Sequence, residues 1–124
     1  MIIRDLESVT AVEWGNGLSR RLLLAADGMG YSVTDTLVRA GTTSPLEYRN
    51  HFEACYCVGG SGEVIERDGT SHRLTPGTLY ALDEHDLHHL VAAPHEDLRL
   101  VCVFAPPLRG DEAHRFGEGA PSSY

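Results

Sequence analysis

Three side chains of the kinds that bind transition metals lie in the middle of this 124-residue chain: a carboxylate at Glu53, a phenol at Tyr80 and an imidazole at His88. Together they would offer mixed oxygen and nitrogen ligation suited to iron, manganese or zinc, with positions left open for a substrate. Seven histidines are present, three of them clustered in His85-Asp86-Leu87-His88-His89. A strand shows alternate residues to one side, so His88 and His89 cannot both face an interior, and His85 lies back in a turn. One ligand from the cluster is therefore expected, not three. Tyr80 starts the strand before that turn, eight residues ahead of His88, where an antiparallel hairpin would turn both side chains inward. Glu53 sits on a third strand, ahead of a glycine turn. Each of the three also fits a hydrogen-bonded wall residue, and residue type alone leaves both readings open.

The elements that must position them read as strands. Thirteen Gly and six Pro beside 42% hydrophobic residues suit short strands joined by turns. Residues 1–8 form an opening strand, and AVEWGNGLSRR is a loop feeding the apolar Leu22-Leu23-Leu24. SVTDTLVRAG alternates as a half-exposed strand, and its Val and Thr residues disfavour helix. Pro45 acts as a breaker before a strand from Tyr48 to Val58, which runs into Gly59-Gly60-Ser61-Gly62. Asp68-Gly69 between 63–67 and 70–74 signals a two-residue hairpin. Strands follow at 79–82, 87–93 and 98–104, separated by Thr75-Pro76-Gly77-Thr78 and by a polar turn at 83–86, and Pro106-Pro107 ends the last one. Strands this short must close or stack to hide their edges, so the fold class is all-β, a single-domain β-barrel or jelly roll over residues 1–108. Residues 109–124 read as a polar tail, mobile on composition alone.

The formal charge of −8 repels a phosphate backbone, and the ten basic residues, all Arg, form no stripe beyond Arg20-Arg21. This argues for a small-molecule partner and against nucleic acid. Cys55, Cys57 and Cys102 are an odd number of cysteines inside apolar runs, which reads as buried reduced thiols. Cys55 and Cys57 flank Tyr56 on one face, but no second Cys pair or suitably spaced His closes a tetrahedral site around them. Charges at Arg4, Asp5 and Glu7 interrupt any signal-peptide core, and no apolar run reaches membrane-spanning length, so a cytoplasmic protein with no membrane partner is expected.

The stretch His51-x-Glu53-Ala54-x-Tyr56-x-Val58-x-Gly60-x-Gly62 resembles the first motif of the cupins, and Pro76-Gly77-Thr78 with His88 resembles the second. The paired histidines that usually open the first motif are absent ahead of Glu53, and Tyr80 fills the gap. That substitution is similar to the ectoine synthase family. The resemblance extends through Ser19-Arg20-Arg21-Leu22-Leu23-Leu24, Asp27-Gly28-Met29-Gly30, Asp35-Thr36, Tyr48-x-Asn50-His51, Pro76 to Asp83, His85-Asp86-x-His88 and Arg99 to Phe104. It continues through Pro106-Pro107-Leu108-x-Gly110, Glu112 and His114.

The resemblance implies a cytoplasmic, iron-dependent cupin, usually a homodimer, that closes N-γ-acetyl-L-2,4-diaminobutyrate to the osmolyte ectoine with loss of water. It places iron (Fe2+), or another divalent transition metal, on Glu53, Tyr80 and His88. It places substrate contacts on Arg21, Thr36, Tyr48, His51, Leu82, Phe104, Glu112 and His114. The required base and acid come from His51, Glu112, His114 or metal-bound Tyr80, with the roles unassigned. Contacts from Glu112 and His114 would make the tail an active-site lid, and Arg109-Gly110-Asp111 a chance match to an adhesion motif.

The chain departs from the family where a Trp usually precedes the Ser-Arg-Arg run. Gly17 and Leu18 stand there, and Trp14 would have to be delivered by a shifted loop. Thr34, Glu47 and His89 replace other common residues and are expected to alter the pocket wall. Two rival readings are an iron cupin oxygenase and a non-catalytic cupin that binds a small molecule.

Overall fold

The computed structural model describes residues 1–114 and the backbone pairing of a short strand, Ser122–Ser123. Eleven strands make two sheets. They are β1 (Ala11–Glu13), β2 (Gly17–Leu23), β3 (Ser32–Val38), β4 (Thr43–Glu47), β5 (Phe52–Gly59), β6 (Gly62–Glu66), β7 (Ser71–Leu74), β8 (Leu79–Leu82), β9 (His88–Ala92), β10 (Leu98–Ala105) and β11 (Ser122–Ser123). One sheet runs β1-β2-β3-β10-β5-β8 and the other β11-β4-β9-β6-β7. All pairings are antiparallel except β11 with β4. This is the expected all-β jelly roll.

Period-two burial builds the core. On β10, Leu98, Leu100, Cys102 and Phe104 point inward while Arg99, Val101, Val103 and Ala105 point out. On β9, His88, Leu90 and Ala92 are buried and His89 is exposed. Leu74, Val38, Leu98, Leu100 and Leu108 are almost fully buried between the sheets.

Several local expectations are corrected. Residues 1–8 are not a strand: they cross the surface and end in a 3-10 turn at Leu6–Ser8. They are held by Arg4, whose guanidinium grips both oxygens of Asp27 at 2.7 Å and the Leu22 carbonyl at 2.8 Å. The expected loop at 11–21 is instead the β1–β2 hairpin, turned by Gly15 at φ 103° with Trp14 N–H bonded to the Gly17 carbonyl at 3.1 Å. Pro45 lies inside β4. A proline is tolerated there because β11 meets β4 only at Leu46 and Glu47, leaving that side of Pro45 unpaired among the described residues. The strand expected from Tyr48 starts at Phe52.

The Asp68-Gly69 hairpin exists but is wider than two residues. Glu66 N–H bonds the Thr70 carbonyl and Gly69 N–H the Glu66 carbonyl. Only Gly69 has positive φ, at 94°, so the turn is a three-residue loop with a glycine bulge, not a type I′ turn, which needs positive φ at both central residues. Tyr80 and His88 do not share a hairpin. β8 belongs to the first sheet and β9 to the second, so the two side chains meet across the sandwich.

Candidate active site

Register on the first sheet lays its inner face out in three rows. The first row is Leu82, Glu53, Phe104 and Ser32; the second is Tyr80, Cys55, Cys102, Thr34 and Arg21; the third is Cys57, Leu100, Thr36 and Ser19. A core face this rich in polar groups is costly unless something satisfies them. Leu46 on β4 and Leu90 on β9 close over it from the second sheet. The cavity between the sheets is small, about 20 Å³, and is lined by Trp14, Thr34, Thr36, Tyr48, Glu53, Cys55, Tyr80, Cys102, Phe104 and His114, among others. Leu82 and His88 line an adjoining groove that Tyr80 shares.

The structure draws Glu53, Tyr80 and His88 to this junction. Glu53 is 6% exposed and makes no ion pair among the described residues. Burial pushes its carboxyl up to about 7, against the contrary pull of nearby Cys55 and Cys102 thiols. Burial likewise raises Tyr80 well above the usual phenol range, helped by the charges of Cys55, Glu53 and Cys102. The rings of Tyr80 and His88 are 6.2 Å apart. His88 Nδ1 bonds the Asp86 carbonyl at 2.9 Å, while its buried Nε2 has no hydrogen-bond partner among the described residues. Burial holds the imidazole below its ordinary value, hence neutral. A neutral imidazole with one nitrogen tied to a backbone carbonyl and the other unmatched is the arrangement a metal-ligating histidine adopts. The donor set therefore fits a divalent transition metal.

Arg21 projects inward from β2 at 3% exposure. Its Nη2 donates to the Glu112 carbonyl, whereas Nε and Nη1 have no partner among the described residues. A buried guanidinium without a carboxylate is a prepared anion site.

Leu108 fastens the chain below the site: its N–H bonds Ser32 Oγ, and its carbonyl accepts from Ala25 N–H. From there residues 109–113 cross the surface and bring His114 into the cavity. His114 is buried and meets the Tyr48 hydroxyl through Nε2 at 2.8 Å. Burial first, then the His88 and Arg21 charges, push its ring down to about 3. The remaining tail, 115–121 and 124, lies outside the described residues.

Two of the other expected contacts are placed less directly. The Glu112 carboxylate accepts from the N–H groups of Arg109 and Gly110 at 2.9 and 2.8 Å, so in this state it shapes its own turn. His51 is half-buried, gives Nδ1 to the Pro106 carbonyl at 2.7 Å, and stands edge-on to Phe104 at 6.0 Å.

Of the altered positions, Thr34 lines the cavity, bonded to Thr36 at 3.2 Å. His89 faces outward, and Glu47 lines the adjoining groove, paired with Arg49 at 2.7 Å. Gly17 matters indirectly. A Cβ there would sit 1.8 Å from the Leu37 carbonyl oxygen and 3.0 Å from the Trp14 ring. Its bareness lets Trp14 fold into the cavity, edge-on to His114 at 5.6 Å. The thiols of Cys55 and Cys102 also reach the cavity. Sequence reading misses them as a pair because it sees Cys55 beside Cys57, whereas Cys57 turns to the Gly59 carbonyl.

A family model described as ectoine synthase matches residues 1–122. The L-ectoine synthase of Desulfatibacillum aliphaticivorans is 48% identical over 121 residues, covering 92% of each chain. That of Halalkalibacterium halodurans is 52% identical over 104 residues, covering 83% of this chain and 79% of its own. The crystal structure of ectoine synthase from P. lautus superposes with a TM-score of 0.83 at 46% identity, covering 89% of this chain and 81% of that one. The polyketide cyclase RemF, at 21% identity and a TM-score of 0.75, shares the fold. With a family model matched over residues 1–122, sequence identity spread over nearly its whole length and a shared two-sheet fold, the chain belongs to the ectoine synthase family of cupins.

Proposed function

We propose that this chain closes N-γ-acetyl-L-2,4-diaminobutyrate to ectoine by attack of the α-amine on the acetyl carbonyl carbon and loss of water, with iron held by Glu53, Tyr80 and His88. The observation that carries this reading is a polar interior in which the buried Arg21 guanidinium, tied to the protein through Nη2, and the buried His88 Nε2 keep nitrogens without a hydrogen-bond partner among the described residues. The bound metal supplies a Lewis acid for the negative charge that develops on the acetyl oxygen.

The protein's own part is mainly positional. An amide carbonyl is a poor electrophile, but an amine held at near-attack distance gains an effective molarity on the order of 10⁵ to 10⁸ M. Arg21 offers its unpartnered nitrogens to the substrate carboxylate. Trp14, Phe104, Leu46 and Leu90 give the cavity apolar walls that keep the chain folded and water out. His114, which burial favours in its neutral form, meets the Tyr48 hydroxyl through Nε2 and helps to orient it. His51, Glu112, His114 and Tyr80 are the candidates for proton transfer. Residues 109–124 act as the lid, since 109–114 already contribute His114 and tie Arg21.

A homodimer is supported by the outer face of the first sheet, where Phe52, Tyr56, Val58, Leu79 and Val103 are each more than a third exposed. No helix of the described residues is long and apolar enough to cross a membrane. Three buried free thiols suit the reducing cytoplasm. Adding substrate to the iron-loaded protein and following the acetyl methyl signal by NMR tests the reading. Conversion to the ring methyl without oxygen uptake is expected. Tight binding without conversion would favour a binding protein, and oxygen consumption an oxygenase.

A further inference from the structure

Cys55 and Cys102 face each other across β5 and β10. Their sulfurs and a carboxylate oxygen of Glu53 lie within 4.8 Å of one another, and all three residues are buried. We infer that Glu53, Cys55 and Cys102 form a site for a thiophilic d10 divalent cation, zinc or cadmium, overlapping the iron site through Glu53. The inference extends the proposed iron assignment but rests on a different donor set.

Geometry and chemistry both point this way. Zinc binds thiolate sulfur at about 2.3 Å and carboxylate oxygen at about 2.0–2.2 Å, so a tetrahedral site needs its donors separated by roughly 3.8 Å or less. The observed spacing asks for movements of no more than about an ångström from short side chains. Both thiols line the cavity between the sheets. Two thiolates and a carboxylate around a divalent ion leave one net negative charge. Binding releases the two thiol protons to solvent. Soft thiolates select zinc and cadmium over ferrous iron. An ion seated here also takes Glu53 from the iron set, so cadmium or zinc should displace iron.

The purified full-length protein with one equivalent of cadmium provides the test. X-ray absorption at the cadmium edge should report two sulfur neighbours; one or none overturns the inference. The ultraviolet thiolate-to-cadmium band should vanish in the double variant Cys55→Ser with Cys102→Ser and persist in Cys57→Ser, with melting curves confirming that each is folded. Loss of the band in Cys57→Ser alone overturns it too. His88→Ala separates the two assignments: it should cut iron content while leaving the cadmium sulfur count at two. Retained iron in that variant would sink the iron reading and leave the thiol site to be judged on the sulfur count.

Discussion

At the scale of single residues, the site is a set of polar groups held in the wrong solvent. His114 shows what that costs. In the unfolded chain its ring takes a proton near 6.5, whereas burial holds it neutral down to about 3 in the fold. The unfolded state therefore binds more protons between those values, and stability falls as pH drops below 6.5. At pH 5 the deficit from this residue is about 2 kcal/mol. Urea unfolding of the wild type and of His114→Gln at pH 7.5 and pH 5 should show a smaller acid loss in the variant by roughly that amount. Equal losses in the two proteins would contradict a buried neutral ring. Residue identity made Glu53, Tyr80 and His88 legible as candidates, because oxygen and nitrogen donors stand out in a strand-rich sequence. The Cys55–Cys102 pair was not legible, because its partners are 47 positions apart and only register joins them.

At the scale of elements, hydrophobic alternation located β8 and placed β9 and β10 within a residue at most of their ends, since each packs apolar residues on one face. It failed at β2 for a functional reason. There the buried positions are Gly17, Ser19 and Arg21, and Leu18 and Leu22 lie on the other face, so the usual sign of the pattern is inverted where the strand lines the cavity. Gly17 is also where the hairpin depends on the absence of a side chain. Gly17→Ala places a carbon against the Leu37 carbonyl and the Trp14 ring, and strand β2 must move away from β3 to admit it. A loss of about 2–3 kcal/mol is expected in urea unfolding, together with a changed Trp14 fluorescence spectrum. A variant as stable as the parent with unaltered emission would mean that the close approach is not structural.

At the scale of the whole molecule, two sheets do separate jobs. The inner faces build the cavity, and the outer face of the first sheet, left apolar around Val103 and Phe52, is free for a second copy. Val103 is 37% exposed. If the proposed homodimer forms through this face, the wild type should sediment as a dimer and Val103→Asp as a monomer with an unchanged far-ultraviolet spectrum; a variant as dimeric as the wild type, or a monomeric wild type, would contradict that. The sandwich also explains why Tyr80 and His88, close in sequence, meet as they do. They approach from opposite sheets, so an ion between them would clamp the two layers together, with Glu53 completing the set. The most direct measurement is iron per chain in purified Glu53→Ala, Tyr80→Ala and His88→Ala beside the wild type. Each substitution should reduce iron strongly, on the order of tenfold or more given what an outer partner alone contributes, while the fold persists. Full iron occupancy in all three variants would contradict the assignment.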